Sequence, residues 1–302
     1  MQPTVKVHQL RKAFGPIQAV DGVTFEVFPG EIFGLLGPNG AGKTTTIRII
    51  MNILQPDAGH VEVLGDLPAR ARERVGYLPE ERGLYPNLKV METLIYFAQL
   101  KGRSAAWARK RAQMLLERVG LAERAQAKVK ELSRGMQQKV QLLVAIVHDP
   151  EVLILDEPFQ GLDPVNVQLV KELLLELREQ GKTILLSTHQ MSQVEALCGR
   201  IALINRGRVV LYGDLVHIQQ QYAPNIVYVQ AASPLPELPA VTHVAERNGM
   251  YVLELSAGVS AQHVLRSLVD AGVEIRFFQV GRLPLEDIFV RVVKEDAHHA
   301  AA

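Results

Sequence analysis

Up to about Leu215, short β-branched apolar runs such as Val152 to Leu155 and Thr183 to Leu186 alternate with longer stretches of helical period. This is the pattern of an α/β domain with a largely parallel core sheet, and glycine-rich turns stand at the joins. From Met91 to Glu131 the strand pattern is missing. Ala108, Ala112, Leu115 and Val119 recur there at helical spacing behind Ser104, a predicted N-cap. A helical insertion is expected, spanning about residues 84–148. Lys101, Arg103, Arg109, Lys110 and Arg111 are expected to form one of its solvated faces.

After Tyr222 the pattern shifts again, and Pro224, Pro234, Pro236 and Pro239 frame a loop-rich stretch. The boundary is placed near residue 220, giving a domain over 1–220 and a smaller one over 221–295. Within the latter, Ile226 to Val229, Tyr251 to Leu255 and Val273 to Val280 are expected strands. Ala261, Val264, Leu265 and Leu268 form one helical face, and Leu285, Ile288, Phe289 and Val292 form a second, as in a small α+β domain. Residues 296–302 are expected to fray, and His298 and His299 within them are a minor metal-ligand candidate.

Composition narrows the classes. A chain of 302 residues, 48% of them apolar, has material for about two domains. Its 33 Lys+Arg against 32 Asp+Glu leave no global basic field, so no nucleic-acid partner is expected. A single cysteine, Cys198, cannot close an intrachain disulfide, and the start lacks an apolar signal core, which together suggest a reducing cytoplasmic setting. Apolar runs such as Leu142 to Val147 fall far short of the roughly 18 residues needed to cross a bilayer.

Candidate chemistry is concentrated in the first domain. Gly37, Pro38, Asn39, Gly40, Ala41, Gly42, Lys43, Thr44 and Thr45 contain the full G-x-x-x-x-G-K-[ST] pattern between an apolar run and a helical one. Such glycines let backbone N–H groups cradle phosphate oxygens at a helix N-terminus. Lys43 would neutralise the β- and γ-phosphates, and the Thr44 hydroxyl would ligate Mg²⁺. The apolar run Val152 to Leu155 ends in Asp156, a candidate metal-side carboxylate, and Glu157, a candidate for aiming the attacking water. Between these motifs, Leu132-Ser133-Arg134-Gly135-Met136 precedes a helical run. Ser133 is a candidate N-cap, and it and Gly135 are candidate holders of a second phosphate group.

In this order the motifs make residues 1–215 resemble the nucleotide-binding subunit of ATP-binding-cassette transporters. The resemblance implies a P-loop NTPase domain with a mixed sheet core and a helical subdomain, followed here by the small α+β domain. It implies that His189, after the strand TILLST, contacts the γ-phosphate and orients Glu157, that Phe14 stacks on adenine, and that Asp163 in Gly161-Leu-Asp-Pro reaches a partner subunit. Asp163 followed by Pro164 is also a good N-cap and N1 pair.

Two departures from the family pattern stand out. LSRGM replaces the usual LSGGQ, keeping Ser133 and Gly135. Glu80, in Gly-Tyr-Leu-Pro-Glu-Glu-Arg-Gly-Leu-Tyr, aligns with the family glutamine that couples nucleotide to the membrane partner, keeping an oxygen for Mg²⁺ but adding a negative charge. These runs look most like the sodium-extrusion and drug-export branch. Since one chain carries one of each motif, the resemblance implies that ATP and Mg²⁺ sit between two head-to-tail copies. These would drive a separate transmembrane permease from its cytoplasmic, inner-membrane face. An importer ATPase, or a soluble ATPase of the same class acting on ribosomes or DNA, is the alternative. The C-terminal domain carries no catalytic constellation.

Overall fold

The computed structural model describes residues 2–299 apart from 82, 224, 248 and 257. The first of its two units, Met1–Asp214, opens with Val5–Phe14 (β1) and Ile17–Val27 (β2), followed by Ile32–Leu36 (β3), Lys43–Ile50 (α1), Ala58–Val63 (β4) and Val75–Leu78 (β5). A helical stretch comprises Val90–Leu100 (α2), Ala105–Arg118 (α3) and Arg134–Ile146 (α4). The unit closes with Val152–Asp156 (β6), Pro164–Glu179 (α5), Thr183–Thr188 (β7), Met191–Leu197 (α6), Arg200–Asn205 (β8) and Arg208–Asp214 (β9).

Two sheets result, because two kinds of strand are present. β1, β2 and β4 alternate between buried and exposed positions and pair antiparallel in the order β2-β1-β4. β3, β6 and β7 are buried at every position and apolar except for Asp156 at the end of β6 and Thr183, Ser187 and Thr188 at the ends of β7, which suits strands covered on both faces. They lie in a six-stranded sheet of order β5-β6-β7-β3-β8-β9, parallel except for the β8–β9 pair. Register decides the site: Leu36 pairs with Thr188, and Asp156 with Ser187. The carboxyl ends of β3, β6 and β7 therefore lie side by side, where ligands of such sheets bind.

In the helical stretch, Ser104 caps α3 by accepting from Trp107 N at 3.3 Å. The basic cluster does not behave as a uniform solvated face. Lys101 Nζ donates to the carbonyls of Arg72 and Val75, and Arg103 donates to the carbonyl of His148 while stacking 4.9 Å above Trp107. These long stems carry their donors to backbone carbonyls next to and within β5 and beyond α4, and so fasten the insertion to the sheet.

The second unit, Leu215–Ala302, contains Leu215–Tyr222 (α7), Ile226–Ala231 (β10), Val241–Arg247 (β11), Met250–Leu255 (β12), Ala261–Asp270 (α8), Ile275–Val280 (β13) and Leu285–His299 (α9). Its antiparallel sheet has the order β11-β12-β10-β13. Val264 and Leu268 of α8 pack on Val227, Val229, Leu253 and Leu255. The division falls at Asp214/Leu215, ahead of the composition shift, because α7 belongs with α9 in the second unit. The expected frayed tail is corrected in part: α9 runs on to His299. The reason is that extending an existing helix by residues such as Glu295 and Ala297 costs little. Residues 300–302 and the side chains of His298 and His299 lie outside the described residues.

Candidate active site

The loop between β3 and α1 is shaped by glycines that tolerate no substitute. Gly37 and Gly42 have φ of +148° and +108°, and a Cβ on them would run into the carbonyl oxygens of Ile204 and Ala19. Gly40 also has a positive φ. With the loop bent this way, α1 opens at Lys43 without an acidic residue in its first turn, so its amino end keeps its positive character. Lys43 is 6% exposed, and its Nζ donates to the carbonyls of Gly37 at 2.7 Å and Pro38 at 3.0 Å. Burial lowers its pKa, opposed by the charges of Glu157, Asp156 and Glu80.

Asn39, Gly40, Gly42, Lys43, Thr44 and Thr45 line one cavity of about 340 Å³, together with Ala19, Glu80, Asp156 and Glu157. Three carboxylates thus face one lysine. Asp156 is 1% exposed, and neither of its oxygens has a hydrogen-bond partner at normal geometry. Burial raises its pKa, with Glu80 and Glu157 adding to the rise, while the hydroxyls of Ser187 and Thr44 pull against it. A buried carboxylate left without donors is unfavourable until a cation or donor reaches it. The hydroxyl and carboxylate oxygens of Thr44, Asp156 and Glu80 form a hard, all-oxygen donor set of the kind that suits Mg²⁺.

Glu157 is held quite differently. Its backbone stands at φ +51°, a conformation that costs a non-glycine residue about 1–3 kcal/mol. Its N–H donates to the Ser187 carbonyl at 2.9 Å. The side chain is 5% exposed and accepts from Thr188 Oγ1 at 3.0 Å, His189 N at 3.0 Å and His189 Nδ1 at 2.7 Å. The carboxylate thereby fixes the His189 tautomer with its proton on Nδ1 and Nε2 directed elsewhere. A carboxylate has about four acceptor positions, so three such bonds leave one for a water.

The remaining sequence-derived residues stand outside this cavity's lining. Phe14 ends β1, 47% exposed, with Lys12 Nζ 5.8 Å above its ring. Ser133 caps α4 by accepting from Met136 N at 3.3 Å, and Gly135 is placed beside Gly161 and Leu162. Asp163 caps α5 by accepting from Asn166 N at 2.9 Å, with Pro164 at the first helical position. Sequence reasoning missed Thr188, whose hydroxyl steadies Glu157, and Ala19, which packs against Gly42. It also missed Gln138 and Gln141, which tie α4 to the loops beyond Glu157 and around Glu80. The signal for Thr188 is the polar pair closing the apolar run Ile184 to Leu186; for the glutamines it is their placement among apolar helix positions.

Comparison with known proteins agrees with this geometry. Residues 20–160 match the ABC transporter family, and residues 213–293 match the C-terminal domain of DrrA1-3-like ATP-binding proteins. An uncharacterized ABC transporter ATP-binding protein, YhaQ of Bacillus subtilis, is 38% identical over 95% of this chain and 97% of its own. The Nod factor export ATP-binding protein I of Paraburkholderia xenovorans is 37% identical over 96% of this chain and 97% of its own. The dimeric structure of MJ0796, a bacterial ABC transporter cassette, superposes with a TM-score of 0.65 at 28% identity, covering 70% of this chain and 98% of that one. The chain belongs to the ATP-binding subunits of ABC transporters, a family of ATPases.

Proposed function

We propose that the chain binds and hydrolyses MgATP between two head-to-tail copies and thereby powers export through a separate transmembrane permease, on whose inner-membrane face it sits. The observation that carries the reading is the convergence, in one cavity, of the α1 amino end, Lys43, the unpartnered Asp156 and the braced Glu157.

On binding, Lys43 exchanges the Gly37 and Pro38 carbonyls for phosphate oxygens, and the N–H groups at the start of α1 take the rest of the phosphate charge. Thr44, Asp156 and Glu80 would hold Mg²⁺, which would supply charge neutralisation at the phosphates. Among the described residues no three acidic, His or Cys side chains cluster closely enough to hold a metal alone. The site therefore suits a cation that arrives with phosphate and water oxygens. Glu157 takes the proton of the attacking water at its free acceptor position. Thr188 and His189 keep the carboxylate aimed, and His189 Nε2 is left to face the γ-phosphate. Phe14, on the hairpin that also supplies Ala19, serves the adenine. Ser133 and Gly135 lie outside the cavity lining at an exposed helix start, and so serve the nucleotide of a second copy, with Asp163 beside that junction.

Export is supported by the relative's name, and the same reading makes the second unit an accessory module. No described helix is long and apolar enough to cross a membrane. Docking of the permease is assigned to the stretch from Glu80 to Leu94, where Tyr85, with Tyr96 just beyond it, exposes aromatic surface. The dimer is tested with Glu157→Gln, which keeps the binding groups. ATP should convert it from monomer to dimer on a sizing column, and persistent monomer under saturating ATP would refute the shared site.

A further inference from the structure

Gln141 lies two turns beyond the Ser133 cap on α4 and is 3% exposed. Its Nε2 donates to the carbonyls of Pro79 at 3.0 Å and Glu81 at 3.1 Å, the residues on either side of Glu80. Its Oε1 is buried without a partner. The reversed amide would set an oxygen against two carbonyl oxygens, so chemistry fixes the orientation. Few side chains can make this contact. Leucine leaves both carbonyls unpaired, glutamate repels them, and lysine brings a charge into a buried position. A neutral group with two N–H donors suits it, and the chain accepts an orphaned Oε1 to have one. One turn earlier, Gln138 Nε2 donates at 3.3 Å to the carbonyl of Pro158, next to Glu157. The same helix thus grips both carboxylate-bearing loops of the cavity.

What the grip accomplishes follows from Glu80. Its side chain is exposed, yet it lines the cavity, and its charge acts on both Lys43 and Asp156. Charge–charge energy falls with separation, so a small swing of an untethered loop would change the field at the metal position substantially. We propose that Gln141 is a positioning residue that holds Glu80 at the nucleotide cavity and thereby sets the site's affinity for Mg²⁺. This rests on the MgATP reading above.

The test follows thermal unfolding of the intact chain with a non-hydrolysable ATP analogue while Mg²⁺ is titrated, alongside hydrolysis rates. Wild type, Gln141→Leu, Glu80→Gln and the double variant are compared. Each single change should raise the Mg²⁺ midpoint at least about threefold, and the double should match Glu80→Gln, because no carboxylate then remains to position. A lower melting temperature with an unmoved Mg²⁺ midpoint in Gln141→Leu would reduce the residue to a structural role and overturn the proposal. An unmoved midpoint in Glu80→Gln would overturn the metal role of Glu80 and the positioning role with it. If Gln141→Leu does not fold, Gln141→Asn, which still pairs one carbonyl, should give the same order with a smaller shift.

Discussion

The two units treat buried polarity in opposite ways. In the first, Lys43, Asp156, Glu157, Ser187, Thr188, Gln138 and Gln141 are each under a tenth exposed; in the second, Gln219 is the one described polar residue so buried. Burying an unpaired charge destabilises a fold by several kcal/mol, so a chain keeps one where a ligand offsets the penalty. The second unit instead has an apolar core of Val227, Val229, Leu253 and Leu255 under α8, which is a scaffold's composition. The contrast locates the chemistry without appeal to motifs. Even within the first unit it separates two carboxylates one residue apart: Asp156 has no hydrogen bond of normal geometry, whereas Glu157 has three.

Asp156→Asn should sharpen this contrast most. Hydrolysis should fall by about two orders of magnitude, while the nucleotide-free protein becomes more stable at neutral pH. The sign follows from the raised pKa. The native chain holds the Asp156 proton more tightly than the unfolded chain does, so wild-type stability declines as pH climbs from the unfolded value near 3.8 towards the native one. The stability gap between variant and wild type should therefore open with rising pH and shrink on acidification. Thermal unfolding across pH reads this, and a variant less stable than wild type at pH 7 would break the account of Asp156.

At the other end of the scale, Leu253→Ala in the second unit should cost about 2–5 kcal/mol of that unit's stability through the cavity it leaves. Hydrolysis per bound ATP should stay within about twofold of wild type, as expected for a module without chemistry. A large fall in turnover with the second unit still folded would mean that it takes part in the site.

Much of the cavity was legible because it comes from contiguous residues. Gly37 to Thr45 are a loop and a helix start, and their backbone demands are written in neighbouring glycines. The grouping of Glu157 with Thr188 and His189 was not legible in that way, since it depends on β6 and β7 pairing parallel in the register that sets Asp156 beside Ser187. Local pattern does not encode register between strands separated by a helix. The antiparallel layer β2-β1-β4 was hidden similarly: β1 and β4 are far apart in sequence, and β1 is interrupted by register shifts. β11 escaped because Thr242, His243, Glu246 and Arg247 dilute its alternation, which an edge strand tolerates. Gln138 and Gln141 look like ordinary polar helix residues until the loops they hold are folded against them.

The central claim is that Glu157 activates the water that attacks ATP. Single-turnover hydrolysis by Glu157→Gln, with ATP binding measured separately, tests it most directly. The account expects hydrolysis slower by about 100-fold or more with ATP still bound, since the amide keeps the size of the carboxylate but cannot take the proton. Near-normal turnover in that variant would contradict it.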